Sequence, residues 1–280
     1  MRWAVFPNTL ILVALLSCAA LAQKPAPTRP DQLVRRVIAH ELQAEAHDHT
    51  YWAFRLQEAE PGSGMKTEEI VETPHGWVRR LLAINGRRPN PQEQARDDAR
   101  LKKLLTDPGE QRKEYEAIHN DEHQAQDLMK LLPDAFLYTY AGRGGDVVRL
   151  NFRPNPKFHP SSRKAAVFHD MVGTLWLDVK QQRLAEISGR LNQEVTFAGG
   201  LLGHLDKGGT FDAKQREIGS GSWDVVYLDV QMNGKALFFK TINVHEKDIR
   251  SDYHRVPGNL SLAQAASLLK KQTKLLAQTR

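Results

Sequence analysis

The chain has 280 residues, a formal net charge of +6 from 39 Lys and Arg against 33 Asp and Glu, and one cysteine, Cys18. A single cysteine excludes an intramolecular disulfide, so the core has to hold without a covalent staple. The charges are mixed along the sequence with no basic block, a pattern that reads as a solvated surface.

At the start, Arg2, the apolar run from Leu10 to Leu16 and the small-residue site Ala20-Leu21-Ala22 together read as an export signal over residues 1–22, cut after Ala22. The run is too short for a membrane-crossing helix, which needs about 20 apolar residues. Leu15-Leu16-Ser17-Cys18 offers a second route, because it resembles the box at which bacterial lipoproteins are cut and lipidated on the new terminal cysteine. The expected destination is the periplasm, free or anchored through Cys18, and nucleic acid is not an expected partner there. Residues 23–32 are proline-rich without apolar periodicity and read as an extended leader. A single domain is expected over 33–258.

Leu33, Val34, Val37, Ile38 and Leu42 recur at helical spacing, and Tyr51 to Leu56 then suits a strand. Met65 to Glu72 and Gly76 to Ile84 read as two further strands, joined through Thr73-Pro74-His75-Gly76 and closed by the turn signal Asn85-Gly86. From 91 to 132 the pattern is helical, broken into a pair at Pro108-Gly109. In the second helix Tyr115, Ile118, Ala125, Met129 and Leu132 form one apolar stripe, and Pro133 is expected to end it. Strands follow over Ala135–Ala141, Val147–Phe152, Met171–Val179, Arg183–Leu191, Glu194–Phe197, Trp223–Met232 and Lys235–Val244, with a short helix near Ser161–Phe168. Asn233-Gly234 reads as a tight hairpin between the last two strands. Residues 259–280 make an amphipathic helix, opened by the capping-box spacing of Ser261 and Gln264. About ten strands joined by hairpins, with a helix pair inserted after the third, predict an α+β fold: a curled antiparallel sheet, or incomplete barrel, covered by helices.

His119-Asn120-Asp121-Glu122-His123 fits the H-x-x-E-H pattern of inverted zinc peptidases, with His119 and His123 as ligands and Glu122 as base. On the helical wheel, however, the two histidines fall about 100° and 140° from the centre of the apolar stripe, and nothing downstream supplies a third ligand. A zinc hydrolase is therefore the alternative reading, and no metal or cofactor is expected. His40, His47 and His49 fit no compact site and read as an exposed helix end. No serine lies in a nucleophile elbow. The glycine-rich stretch from Gly199 to Gly209 lacks a phosphate-binding ending, and reads either as a mobile flap or as two turns flanking a short helix.

Several strands carry apolar groups on both faces, as Leu175 and Leu177 oppose Trp176, so a face left free by the helices needs a second cover, a partner or an apolar ligand. Gly173-Thr174-Leu175-Trp176-Leu177-Asp178, followed by Arg183-Leu184-Ala185-Glu186-Ile187, resembles the paired strands of exported proteins of the lipoprotein-carrier superfamily, the LolA and LolB type. Val195-Thr196-Phe197, the glycine-rich stretch and Gly221-Ser222-Trp223 are similar to the later part of such proteins, so the likeness covers about residues 135 to 245. The resemblance implies an open barrel wrapped over helices, with an apolar cavity that takes acyl chains or an apolar peptide and performs no chemical step. Trp176, Leu201, Leu202, Leu205, Trp223 and Phe238 are the candidate lining and flap residues. The expected partners are lipid or lipoprotein acyl chains. An envelope interaction protein or sensor without a small ligand is a third reading, with a protein partner.

Overall fold

A computed structural model describes residues 29–60, 64–160, 162, 164–197, 203–236 and 240–278. Helix α1 (Pro30–His47) opens with Pro30 at its first position and buries Leu33, Val34, Val37 and Ile38 along one stripe. It leads into β1 (Tyr51–Glu60), β2 (Gly64–Thr73) and β3 (Gly76–Ile84). Helix α2 (Pro91–Thr106) starts with a capping box, in which Asn90 Oδ1 accepts from the Glu93 amide at 2.9 Å and Glu93 Oε2 accepts from the Asn90 amide at 2.7 Å. Asp107 then caps α3 (Pro108–Ala135), where the Gly109 amide donates to its carboxylate at 2.8 Å.

The second half comprises β4 (Phe136–Gly144), β5 (Val147–Pro154), a 3-10 turn over Lys164–His169, β6 (Met171–Asp178), β7 (Arg183–Leu191), β8 (Val195–Phe197), β9 (Gly203–Leu205), β10 (Thr210–Gly219), β11 (Ser222–Ala236) and β12 (Lys240–Val256). Helix α4 (Leu262–Gln278) closes the chain on the expected Ser261–Gln264 box. The strands form one open antiparallel sheet in the order β3-β2-β1-β12-β11-β10-β7-β6-β5-β4, with the β8–β9 ribbon attached to β11. The fold is thus α+β, with a large curled sheet that does not close into a barrel.

Three local expectations need correction. Pro133 does not end α3, which continues to Ala135; the proline lies buried in the last turn, where core packing outweighs the missing amide bond. Asn233-Gly234 is not a hairpin turn, because both residues lie inside β11, opposite Asn243 and Ile242 of β12. Gly234 is required there for close approach of the ribbon: a Cβ would run into the carbonyl oxygen of His204. At its described end the glycine-rich stretch forms no helix, since Gly203–Leu205 is β9 and β10 begins at Thr210. Its residues 199–202 lie outside the described part.

Cross-strand register defines the two faces. One row runs Leu150, Leu175, Ile187, Ala213, Leu228, Asp248, Glu58, Lys66 from β5 to β2, each residue opposite the next. Leu150 and Leu175 pack with Leu33, Val34, Val37 and Ile38 of α1 and Leu132 of α3, so this row lies on the inner, helix-bearing face. A parallel row on that face places Phe152, Gly173, Gly189 and Phe211 in succession. The two glycines leave room for the rings, since a Cβ at Gly173 would lie 2.8 Å from Phe152 and one at Gly189 2.6 Å from Phe211. The outer face carries a second cluster, where α4 and Leu101 of α2 cover Ala53, Val71 and Val78. Helix α3 crosses the inner side of the curl: Glu114 reaches Arg79 of β3 at 3.5 Å, while Leu132 and Ala135 sit in the core under β4 to β7.

Candidate functional site: the inner face of the central strands

The two ends of the sheet are packed and its middle is not. Among the residues from 196 to 259 whose side chains are described, which cover β10 and, apart from 236 and 240–243, β11 and β12, no hydrophobic side chain is buried. Leu228 and Val230 of β11 face inward by register, are partly exposed and join none of the apolar clusters. Phe211 and Met232 touch only the margin of the core under α1 and α3. The helix opposite does not fill the space, since the buried residues of α3 are confined to Leu132, Pro133 and Ala135 in its last turn.

The inner face changes character across this gap. Beyond Leu228 the row becomes Asp248, Glu58 and Lys66, and the next row places Arg250 opposite Leu56 and Leu56 opposite Glu68. Arg250 is anchored by Asp224, with its Nη1 3.0 and 3.1 Å from the two carboxylate oxygens, and Tyr253 donates to the same carboxylate at 2.7 Å. Its guanidinium lies 5.5 Å from the ring centres of both Phe54 and Trp77. Burial pushes the Asp248 carboxyl up to about 6, and the nearby Glu246 and Glu58 push in the same direction. Burial likewise lifts Glu72 to about 7, against the Trp52 amide that donates to it at 2.9 Å and the charge of Arg250, with Asp224 and Glu122 adding to the rise. Asp248 Oδ1 and Arg250 Nε are shielded from solvent without a hydrogen-bond partner among the protein atoms. Such atoms favour a polar group brought to them. The face therefore offers an apolar patch at Phe211, Leu228 and Val230 beside a charged end at Asp248 and Arg250.

A buried ion pair holds the packed side of this site. Glu41, on the stripe of α1, accepts from Arg183 Nε at 3.0 Å and Nη2 at 2.7 Å, and from the Leu184 amide at 3.0 Å. This clamp fixes α1 to β7.

The residues expected from sequence do not converge on one face. Trp176 stands opposite Glu186, in the row that continues to Lys214 and Tyr227 on the outer side of the sheet. Trp176 and Trp223 line a shallow outer groove of about 420 Å³ together with Gln181, Glu186 and Lys214. There the Trp223 indole donates to Gln181 at 3.0 Å. Leu205 faces the other way and packs against the core under α1 and α3. Leu201, Leu202 and Phe238 lie outside the described residues. His119 stacks on Tyr115 with ring centres 3.9 Å apart, and His123 is exposed. Among the described residues neither belongs to a group of three metal-ligating side chains.

The inner residues of β11 were within reach of sequence reasoning. Val226, Leu228, Val230 and Met232 alternate with Tyr227, Asp229 and Gln231, which is the period-two signal of one apolar face. Asp248 and Arg250 gave no such signal, because the half of β12 that carries them is dominated by charged and polar residues. No protein-family model matches this chain, and no curated protein matches it.

Proposed function

We propose that this protein is an exported, non-enzymatic carrier that holds an amphiphilic ligand against the inner face of β10, β11 and β12. The observation that carries this reading is that no hydrophobic side chain of these strands is buried among those whose burial is described, while the sheet buries Leu150, Leu175 and Leu177 on one side of them and Phe54, Ile70 and Val71 on the other. An acyl chain lying on Phe211, Leu228 and Val230 would contribute about 25 cal/mol per Å² of apolar surface removed from water, before the costs of association. The head group would meet Asp248 and Arg250. The N-terminal export pattern and the strand-level resemblance to the lipoprotein-carrier superfamily support the same reading.

Native mass spectrometry of the protein purified from bacterial periplasm and membranes tests it. The expected result is a releasable adduct of lipid size on the wild type, reduced at least tenfold in a Leu228→Glu, Val230→Glu variant whose thermal midpoint is retained. The same spectrum reads the N-terminus, a mass beginning at Gln23 against a lipid increment on Cys18. A wild-type protein without an adduct that also fails to take up a fluorescent fatty acid overturns the proposal.

A further inference from the structure

The β8–β9 ribbon carries metal-ligating side chains that the carrier reading does not use. Its register sets Val195 opposite Leu205 and Thr196 opposite His204. Val195 and Leu205 turn into the core under α1 and α3. Alternation then brings the remaining positions onto the other face, where His204 stands beside the flanking residues Glu194 and Asp206. One donor atom from each of the three lies within 4.8 Å of the others. His204 Nε2 is 3.3 Å from Asp206 Oδ1. Two ligands of one tetrahedral zinc ion, each about 2.0–2.1 Å from the metal, are about 3.3–3.4 Å apart, so this pair already stands at coordination spacing.

The backbone holds two of the donors in place. β9 pairs with β11 through Leu205 opposite Gly234 and His204 opposite Lys235, and the Asp206 amide donates to the Asn233 carbonyl at 2.8 Å. One imidazole nitrogen with two carboxylate oxygens suits Zn²⁺ and neighbouring first-row ions, whereas Ca²⁺ and Mg²⁺ ask for six or more oxygens. Glu194 and Asp206 are exposed and His204 is half-buried, so an ion can reach the site and water can complete its coordination.

We infer that Glu194, His204 and Asp206 form a binding site for a divalent transition-metal ion, which ties the residue before β8 to the residue after β9. The site stands apart from the histidines of α3 and does not depend on the carrier reading.

Isothermal titration of Zn²⁺ into the full chain, stripped with a chelator and freed of it, tests the inference. The wild type is expected to bind one ion that His119→Ala and His123→Ala together leave in place. His204→Ala is expected to weaken binding at least tenfold. Glu194→Gln, a change at an exposed carboxylate, serves as the second variant should His204→Ala fail to fold, and is expected to weaken binding in the same direction. Zn²⁺ should raise the thermal midpoint of the wild type and leave that of His204→Ala unchanged. Absence of saturable binding, binding unchanged in both site variants, or binding lost with the α3 histidines would each overturn the assignment.

Discussion

Leu175 in β6 and Leu228 in β11 stand on one register row and one face of the same sheet, yet the first is fully buried and the second is not. Register decides which face a side chain takes, and the helix above it decides whether that face is dry. Over β4 to β7 the cover is α1 with the last turn of α3, fastened by Glu41 and Arg183. Over the central strands the middle of α3 passes without burying any residue of its own. The same fold thus makes a core and an open face from neighbouring strands.

Detaching the cover should make the first region resemble the second. Glu41→Ala leaves the Arg183 guanidinium buried without its partner and frees the Leu184 amide, so a loss of about 3–5 kcal/mol is expected in urea denaturation. Truncating the two leucines tests the contrast directly. Leu175→Ala is expected to cost about 2–5 kcal/mol, as for other fully buried leucines, and Leu228→Ala less than about 1 kcal/mol. Equal costs at the two positions would mean that the central face is packed, and the contrast would fail.

The smallest effect concerns the charged end of the open face. The Glu72 carboxyl stands at about 7 when folded against its usual 4.5, so the folded chain keeps a proton that the unfolded chain has released between these values. The stability this contributes is complete below about pH 4.5 and is lost as the pH rises through about 7. Asp248, raised to about 6, acts in the same direction. Thermal midpoints measured at pH 5.5 and pH 8 are expected to differ by about 4–8 °C in favour of the acid condition. Glu72→Gln should narrow the difference by raising the value at pH 8.

The packed regions were legible in the sequence and the open one was not, for a common physical reason. Burial writes itself as apolar periodicity: Leu33, Val34, Val37 and Ile38 announced α1, and Gly76 to Ile84 gave β3 at its observed bounds. Glu41 could have been found as well, since it falls on the same stripe, and a carboxylate at such a position needs a partner. By contrast β10 and the second half of β12 are polar strands, held by neighbours on both sides rather than by a dry face, and they escaped. Asn233-Gly234 misled because a glycine needed for close backbone approach has the same letters as one needed for a turn. Sequence alone also leaves open which side of a strand a large side chain takes, and Trp176 and Trp223 lie on the outer one.

The edge strand of an open sheet invites pairing with another chain, and at β3 that edge has been closed by side chains. On β3, the Arg79 carbonyl accepts from Arg100 of α2 at 2.6 Å and the Leu81 amide donates to Asp97 of α2 at 3.2 Å. Asp97 is itself fixed by Arg80 and Arg100. A foreign strand seeking to extend the sheet at β3 would have to displace this helix first. The inserted helix pair therefore does more than pack: its first member guards an edge, and its second spans the curl.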